Sequence, residues 1–226
     1  MTNLFKYTLL YITGLFMFLS GAFYITEISA KQSLNFTNLD SIIKPVDTVI
    51  SVNGKSALFI GDSHTANHKN GWQVLLCKET GLRMNNVSVS GKTTYWMLEM
   101  AVYTIHDNID YCFIYGGAND MYTSSISPED AIENIKGIIK LCRAHNVHPV
   151  VLTGFDPRLT NTNNKNYIPK YIKFQKLLLT SLKGATVIDV RVISKKDCWD
   201  GLCHMSPSGH MKIADKVISD MKFMKK

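Results

Sequence analysis

Apolar positions along this chain of 226 residues change their spacing repeatedly, and each change marks an element. The first run, Tyr7 to Thr26 (YTLLYITGLFMFLSGAFYIT), contains no charge and shows no polar face. Twenty such residues reach across a bilayer as a helix, whereas a buried helix of ordinary proteins that long would carry a polar side. Lys6 precedes the run, and Glu27 and Lys31 follow it, which favours a cytoplasmic N-terminus with everything downstream outside. The run exceeds the ~7–15 apolar residues of a signal-peptide core. Residues 1–30 are therefore expected to be an uncleaved signal anchor, with a transmembrane helix over 7–26. Cleavage near Ile28-Ser29-Ala30, and hence secretion, is the alternative. Residues 31–54 are polar, broken by Pro45 and Asn53-Gly54, and read as a tether.

From Ser56 onward short apolar runs alternate with segments of helical period. The runs 56–63, 85–91, 111–117, 147–154 and 186–190 read as strands. Segments 72–80, 93–105, 127–145, 169–182 and 206–221 read as helices, with Ser127 as an N-cap and Pro128 at the first helical position. Five alternations predict a five-stranded parallel sheet with helices on both faces, occupying residues 55–226.

Composition narrows the function classes. With 46% hydrophobic and 19% charged residues, a disordered or low-complexity chain is excluded. The net charge of +7 suits an anionic partner, but the basic residues are scattered singly, and nucleic-acid binding is not expected. Five cysteines are an odd number, so the chain is no disulfide scaffold. Cys77, Cys112 and Cys142 sit among apolar residues, whereas Cys198 and Cys203 bracket a loop and have the option of pairing. Cys142, His145 and His148 invite a zinc reading, but no second ligand pair has the spacing of a structural site.

Ligands of parallel sheets bind beyond the carboxyl ends of the strands. Those ends are polar here: Gly61-Asp62-Ser63-His64 after the first, Ser90-Gly91 after the second, and Gly116-Gly117-Ala118-Asn119-Asp120 after the third. The fifth leads to Asp197, Asp200 and His204. A serine hydroxyl needs an imidazole to take its proton, the imidazole works better with a carboxylate behind it, and the developing oxyanion needs fixed donors. These segments contain all of those groups.

In these blocks, in this order, the chain resembles SGNH/GDSL-type hydrolases over about residues 56–222. The resemblance implies a flavodoxin-like three-layer α/β/α sandwich that uses neither metal nor organic cofactor. It assigns Ser63 as nucleophile, His204 as general base and Asp200 as orienting carboxylate, with Ser63, Gly91 and Asn119 forming the oxyanion hole. Two features depart from the family. Three residues, Gly201-Leu202-Cys203, separate Asp200 from His204 where the family usually has two, so Asp197 or a dyad stand as alternatives. Position 64 is histidine where the family often has an apolar residue, and His64 reads either as part of the substrate mouth or as a loop residue. The expected activity is hydrolysis of acyl esters, with O-acetyl groups on an extracytoplasmic glycan as one substrate class. Alternatives are a lipid-acyl esterase with Trp96, Met97 and Met100 along an acyl channel, a glycan O-acyltransferase, and a non-catalytic carbohydrate-binding or assembly protein.

Overall fold

The computed structural model describes residues 49–66, 69–123, 125–160, 162–199 and 204–226. The apolar run 7–26, most of the tether, and Asp200 and Cys203 with the possible Cys198–Cys203 bond lie outside these residues. Among the described residues no helix is long and apolar enough to cross a membrane.

Five strands form one parallel sheet: β1 (Ser56–Gly61), β2 (Arg83–Asn86), β3 (Tyr111–Tyr115), β4 (His148–Leu152) and β5 (Thr186–Ile188). Their order is β2-β1-β3-β4-β5, the flavodoxin-like arrangement. β1, β3 and β4 are buried on both faces, which is why they read as unbroken apolar runs rather than alternating ones. The helices are α1 (Trp72–Thr80), α2 (Thr94–Thr104), α3 (Ala118–Tyr122), α4 (Pro128–Ala144), α5 (Tyr167–Ser181) and α6 (Pro207–Asp220). α1 packs with α6, while α4 packs with both α2 and α5, so two helical layers enclose the sheet. Between them lie Phe59, Phe113 and Trp72, with Phe59 stacked on Phe113 at 4.9 Å and Trp72 edge-on to Phe59 at 5.4 Å. α4 starts with the expected cap: Ser127 Oγ accepts from the Asp130 N–H, and the Asp130 carboxylate accepts from the Ser127 N–H, both at 3.1 Å.

Several boundaries differ from the sequence reading. β2 covers 83–86 rather than 85–91, because beyond Asn86 only the Val87 and Val89 amides still reach β1, donating to Phe59 O and Gly61 O. α5 starts at Tyr167, two residues ahead of Pro169, which a first helical turn tolerates since its N–H groups lack helical partners anyway. Helix α3 was not foreseen. Ahead of β1, Ile50 exchanges backbone bonds with Lys222 and Met224 beyond α6, at 2.8 and 2.9 Å.

Candidate active site

Strand order reverses between β1 and β3, so their carboxyl ends open a crevice. Gly61 closes β1 against β3 so tightly that a Cβ there would lie 2.3 Å from Tyr115 O. A turn follows in which Asp62 holds the chain twice. Its carbonyl accepts from the Thr65 and Ala66 amides at 3.0 and 2.8 Å, and its Oδ1 accepts from the His64 amide at 3.0 Å. The turn carries Ser63, half-buried, at its corner. His204 comes from the far end of the chain, and its Nε2 lies 3.0 Å from Ser63 Oγ. At that distance an imidazole can take the hydroxyl proton.

The approach to His204 is braced by its own flank. Trp199 N–H donates to His204 O at 2.9 Å, Ser206 N–H donates to Asp197 O at 2.8 Å, and Cys198 bridges Met205 in antiparallel fashion. Asp197 itself is committed elsewhere. Its Oδ2 accepts from the Ser194 amide and hydroxyl and from Lys212 Nζ at 2.7 Å, while Oδ1 accepts from Ser208 Oγ at 3.1 Å. Burial pushes this carboxyl upward, but Lys212, Ser194 and Ser208 outweigh burial and hold it well below the usual carboxylate range. A carboxylate with both oxygens so occupied ties the 3₁₀ turn Lys195–Asp197 to α6.

The other predicted donors converge on one loop. Gly91 has φ +78°, the left-handed region that favours glycine, and nothing lies within 4 Å of where a Cβ would stand. Asn119, in the first turn of α3, donates from Nδ2 to Lys92 O at 3.0 Å and keeps its second amide hydrogen. Its neighbour Asp120 is buried and accepts from the Thr94 amide at 3.0 and 3.1 Å and from the Thr94 hydroxyl, which Asn134 also contacts at 3.0 Å. Asp120 thus places its carboxylate at the N-terminus of α2, where helix amides and the helix dipole favour negative charge. Asn119 and Asp120 together staple the segment after Gly91 to the end of β3.

Asp62 is fully buried. Burial, reinforced by the nearby Asp120 carboxylate and only partly offset by the His64 amide, pushes its carboxyl up to about 7. The folded protein therefore holds this proton more tightly than the unfolded chain. Asp62 contributes stability that is fully present below its ordinary value of 3.8 and is lost as pH rises toward about 7. Asp62→Asn, which mimics the neutral acid, is expected to flatten the fall in melting temperature between acidic and mildly alkaline pH. Parallel wild-type and variant melting curves across that range would exclude a buried proton on Asp62.

A cleft of about 180 Å³ opens over Ser63 and His204 and is bounded by His64, Asn70, Trp199, Met205, Pro207 and His210. His64 is buried, its ring 5.4 Å from Tyr115, 5.1 Å from Phe155 and 5.5 Å from His204, so it forms part of the cleft wall rather than an exposed loop. His210, in the first turn of α6, also reaches the cleft, its Nδ1 accepting from the Trp72 amide at 3.3 Å. Sequence reasoning missed Trp199 and Asn70. The only signal for them was their nearness in the chain to His204 and Ser63. The residues considered for an acyl channel do not bound the cleft. Met97 is in the core, and Trp96 is partly buried beneath Lys92 Nζ at 5.7 Å. The residues considered for zinc are likewise occupied: Cys142 is core, His145 Nδ1 meets Asp107 at 2.6 Å, and His148 Nε2 meets Thr186 Oγ1 at 2.9 Å.

A model of the GDSL-like lipase/acylhydrolase family matches residues 59–212. No curated protein shows significant sequence similarity. Among solved structures, the chain is similar to the acetylxylan esterase Axe2 of Geobacillus stearothermophilus, at 16% identity over 76% of this chain and 96% of that one, with a TM-score of 0.60. Solved catalytic mutants of Axe2 replace an aspartate, a serine or a histidine by alanine. A lipolytic G-D-S-L family member from Veillonella parvula matches at 15% identity, over 73% of this chain and 97% of its own, with a TM-score of 0.61. An α/β hydrolase from the metagenome of Lake Arreo matches at 17% identity, over 74% and 95%, with a TM-score of 0.60.

Proposed function

Because the chain belongs to the GDSL-like lipase/acylhydrolase family and so hydrolyses carboxylic esters, we propose that it removes short acyl groups, O-acetyl foremost, from a glycan outside the cytoplasm. Ser63 Oγ attacks the acyl carbon while His204 Nε2 takes its proton. The amides of Ser63 and Gly91 and the side chain of Asn119 receive the oxyanion. His204 then returns the proton to the departing alcohol oxygen, leaving an acyl-serine that water cleaves by the same route in reverse. Asp200 orients the imidazole.

The observation that carries this reading is the 3.0 Å approach of His204 Nε2 to Ser63 Oγ beneath the cleft. The cleft's small volume, with Met97 and Trp96 outside it, favours an acetyl over a long acyl chain. Acetylxylan is the substrate named for Axe2, and the catalytic mutants of that enzyme change the same three residue types as Ser63, Asp200 and His204. A membrane anchor over residues 7–26 and a charge of +7 would hold the enzyme near an anionic envelope polymer.

The full-length protein in detergent, assayed on p-nitrophenyl esters of increasing chain length and on acetylated xylan, tests the proposal. Acetate is expected to exceed octanoate in kcat/KM by about tenfold or more, since the longer chain outgrows the cleft over Ser63. Preference for octanoate would turn the reading toward a lipid-acyl esterase. Binding of glycan with no turnover of any ester would turn it toward a binding protein.

A further inference from the structure

We propose that Trp199 is a stacking platform for the sugar ring that bears the scissile ester, a subsite on the leaving-group side of the Ser63–His204 pair. The inference rests on the glycan-ester reading above. Of the three tryptophans, Trp72 is fully buried and Trp96 partly so, whereas Trp199 is 53% exposed while bordering the cleft. Its place relative to the chemistry is fixed by backbone bonds. Its amide donates to the carbonyl of His204, and the two residues before it, Cys198 with Met205 and Asp197 with Ser206, continue that pairing.

This tie decides which half of the substrate the ring meets. The departing oxygen must come within reach of His204 to regain its proton, so the group attached to that oxygen lies on the His204 side, beside Trp199. A pyranose matches such a surface. Its C–H face is apolar and flat, like the face of an indole, and its hydroxyls project around the edge toward polar groups such as Asn70 on the cleft rim. A lipid leaving group would require a deep apolar groove in place of one exposed ring with a polar border.

The test compares wild type, Trp199→Ala and Trp199→Phe, all full length, on acetylated xylo-oligosaccharides and on ethyl acetate, whose leaving group is too small to cover the ring. Trp199→Ala is expected to raise KM for the oligosaccharide, and its loss in kcat/KM there should exceed its loss on ethyl acetate by about tenfold. Trp199→Phe should recover most of the difference, because a phenyl face also stacks. Equal losses on both substrates would mean that Trp199 acts through the position of His204, and no selective loss would remove the platform, in either case with the glycan-esterase reading intact. If the wild type cleaves simple esters but no acetylated oligosaccharide, that reading fails and the platform with it.

Discussion

Ser63→Ala is expected to lower kcat for ester hydrolysis by about 10⁴-fold or more, with the melting temperature almost unchanged. The substitution removes one oxygen from a half-buried corner whose shape is set by other groups. Asp62 holds the turn through its carbonyl and its Oδ1, and Gly61 sets the approach to β3. The Ser63 amide is retained, so the proposed oxyanion hole keeps that donor. His204→Ala should cost a similar factor, and the double variant should be little worse than either, because hydroxyl and imidazole act as one unit. Steady-state kinetics on p-nitrophenyl acetate measure all three. Turnover in Ser63→Ala near the wild-type rate would exclude a serine nucleophile.

The second large effect separates stability from chemistry in the turn before α6. Asp197→Ala is expected to destabilise the protein by about 2–4 kcal/mol, because it leaves Lys212, Ser194 and Ser208 without their shared acceptor. The Lys212 side chain is 40% exposed, so water screens part of the ion pair, which is why the lower part of the range is favoured. Asp197 holds its charge below the ordinary carboxylate range, so its contribution is present at neutral pH and fades only in acid. Asp200→Asn should do the reverse, lowering kcat far more than KM with stability nearly intact. Thermal melts and kinetics on both variants decide the matter. A fall in kcat with unchanged stability in Asp197→Ala would move the orienting role to Asp197, and small kinetic effects in both would leave a Ser63–His204 dyad.

What the sequence made legible follows from how far each signal reaches along the chain. β1, β3 and β4 announced themselves because both of their faces are buried, and Ser63, Asn119 and the Gly91 turn sit at or just past strand ends, where a parallel sheet must place its ligands. Helix α3 was illegible because its five residues, Ala118–Tyr122, are too few to express a helical period. The burial of His64 comes from Tyr115 and Phe155, residues 51 and 91 positions away, and no local pattern reports it. Asp197 looked like a rival partner for His204 because proximity in sequence was the only guide. Its tie to Ser194 is a local cap of the 3₁₀ turn, but those to Ser208 and Lys212 exist only once α6 packs in place.

The staple made by Asn119 and Asp120 has a dynamic consequence. Gly91 follows β2, a four-residue edge strand with largely exposed side chains, and edge elements of this kind open first in native-state fluctuations. Were the Gly91 loop anchored only through β2, fraying of that edge would scatter the donor it offers. Asn119 and Asp120 instead fasten Lys92 and Thr94 to the end of β3, the central strand of the sheet. Amide exchange at Thr94, whose N–H the Asp120 carboxylate holds, should accordingly track the slow opening of β3 rather than the fast opening of β2. This edge strand can then breathe without the proposed oxyanion donors losing their spacing.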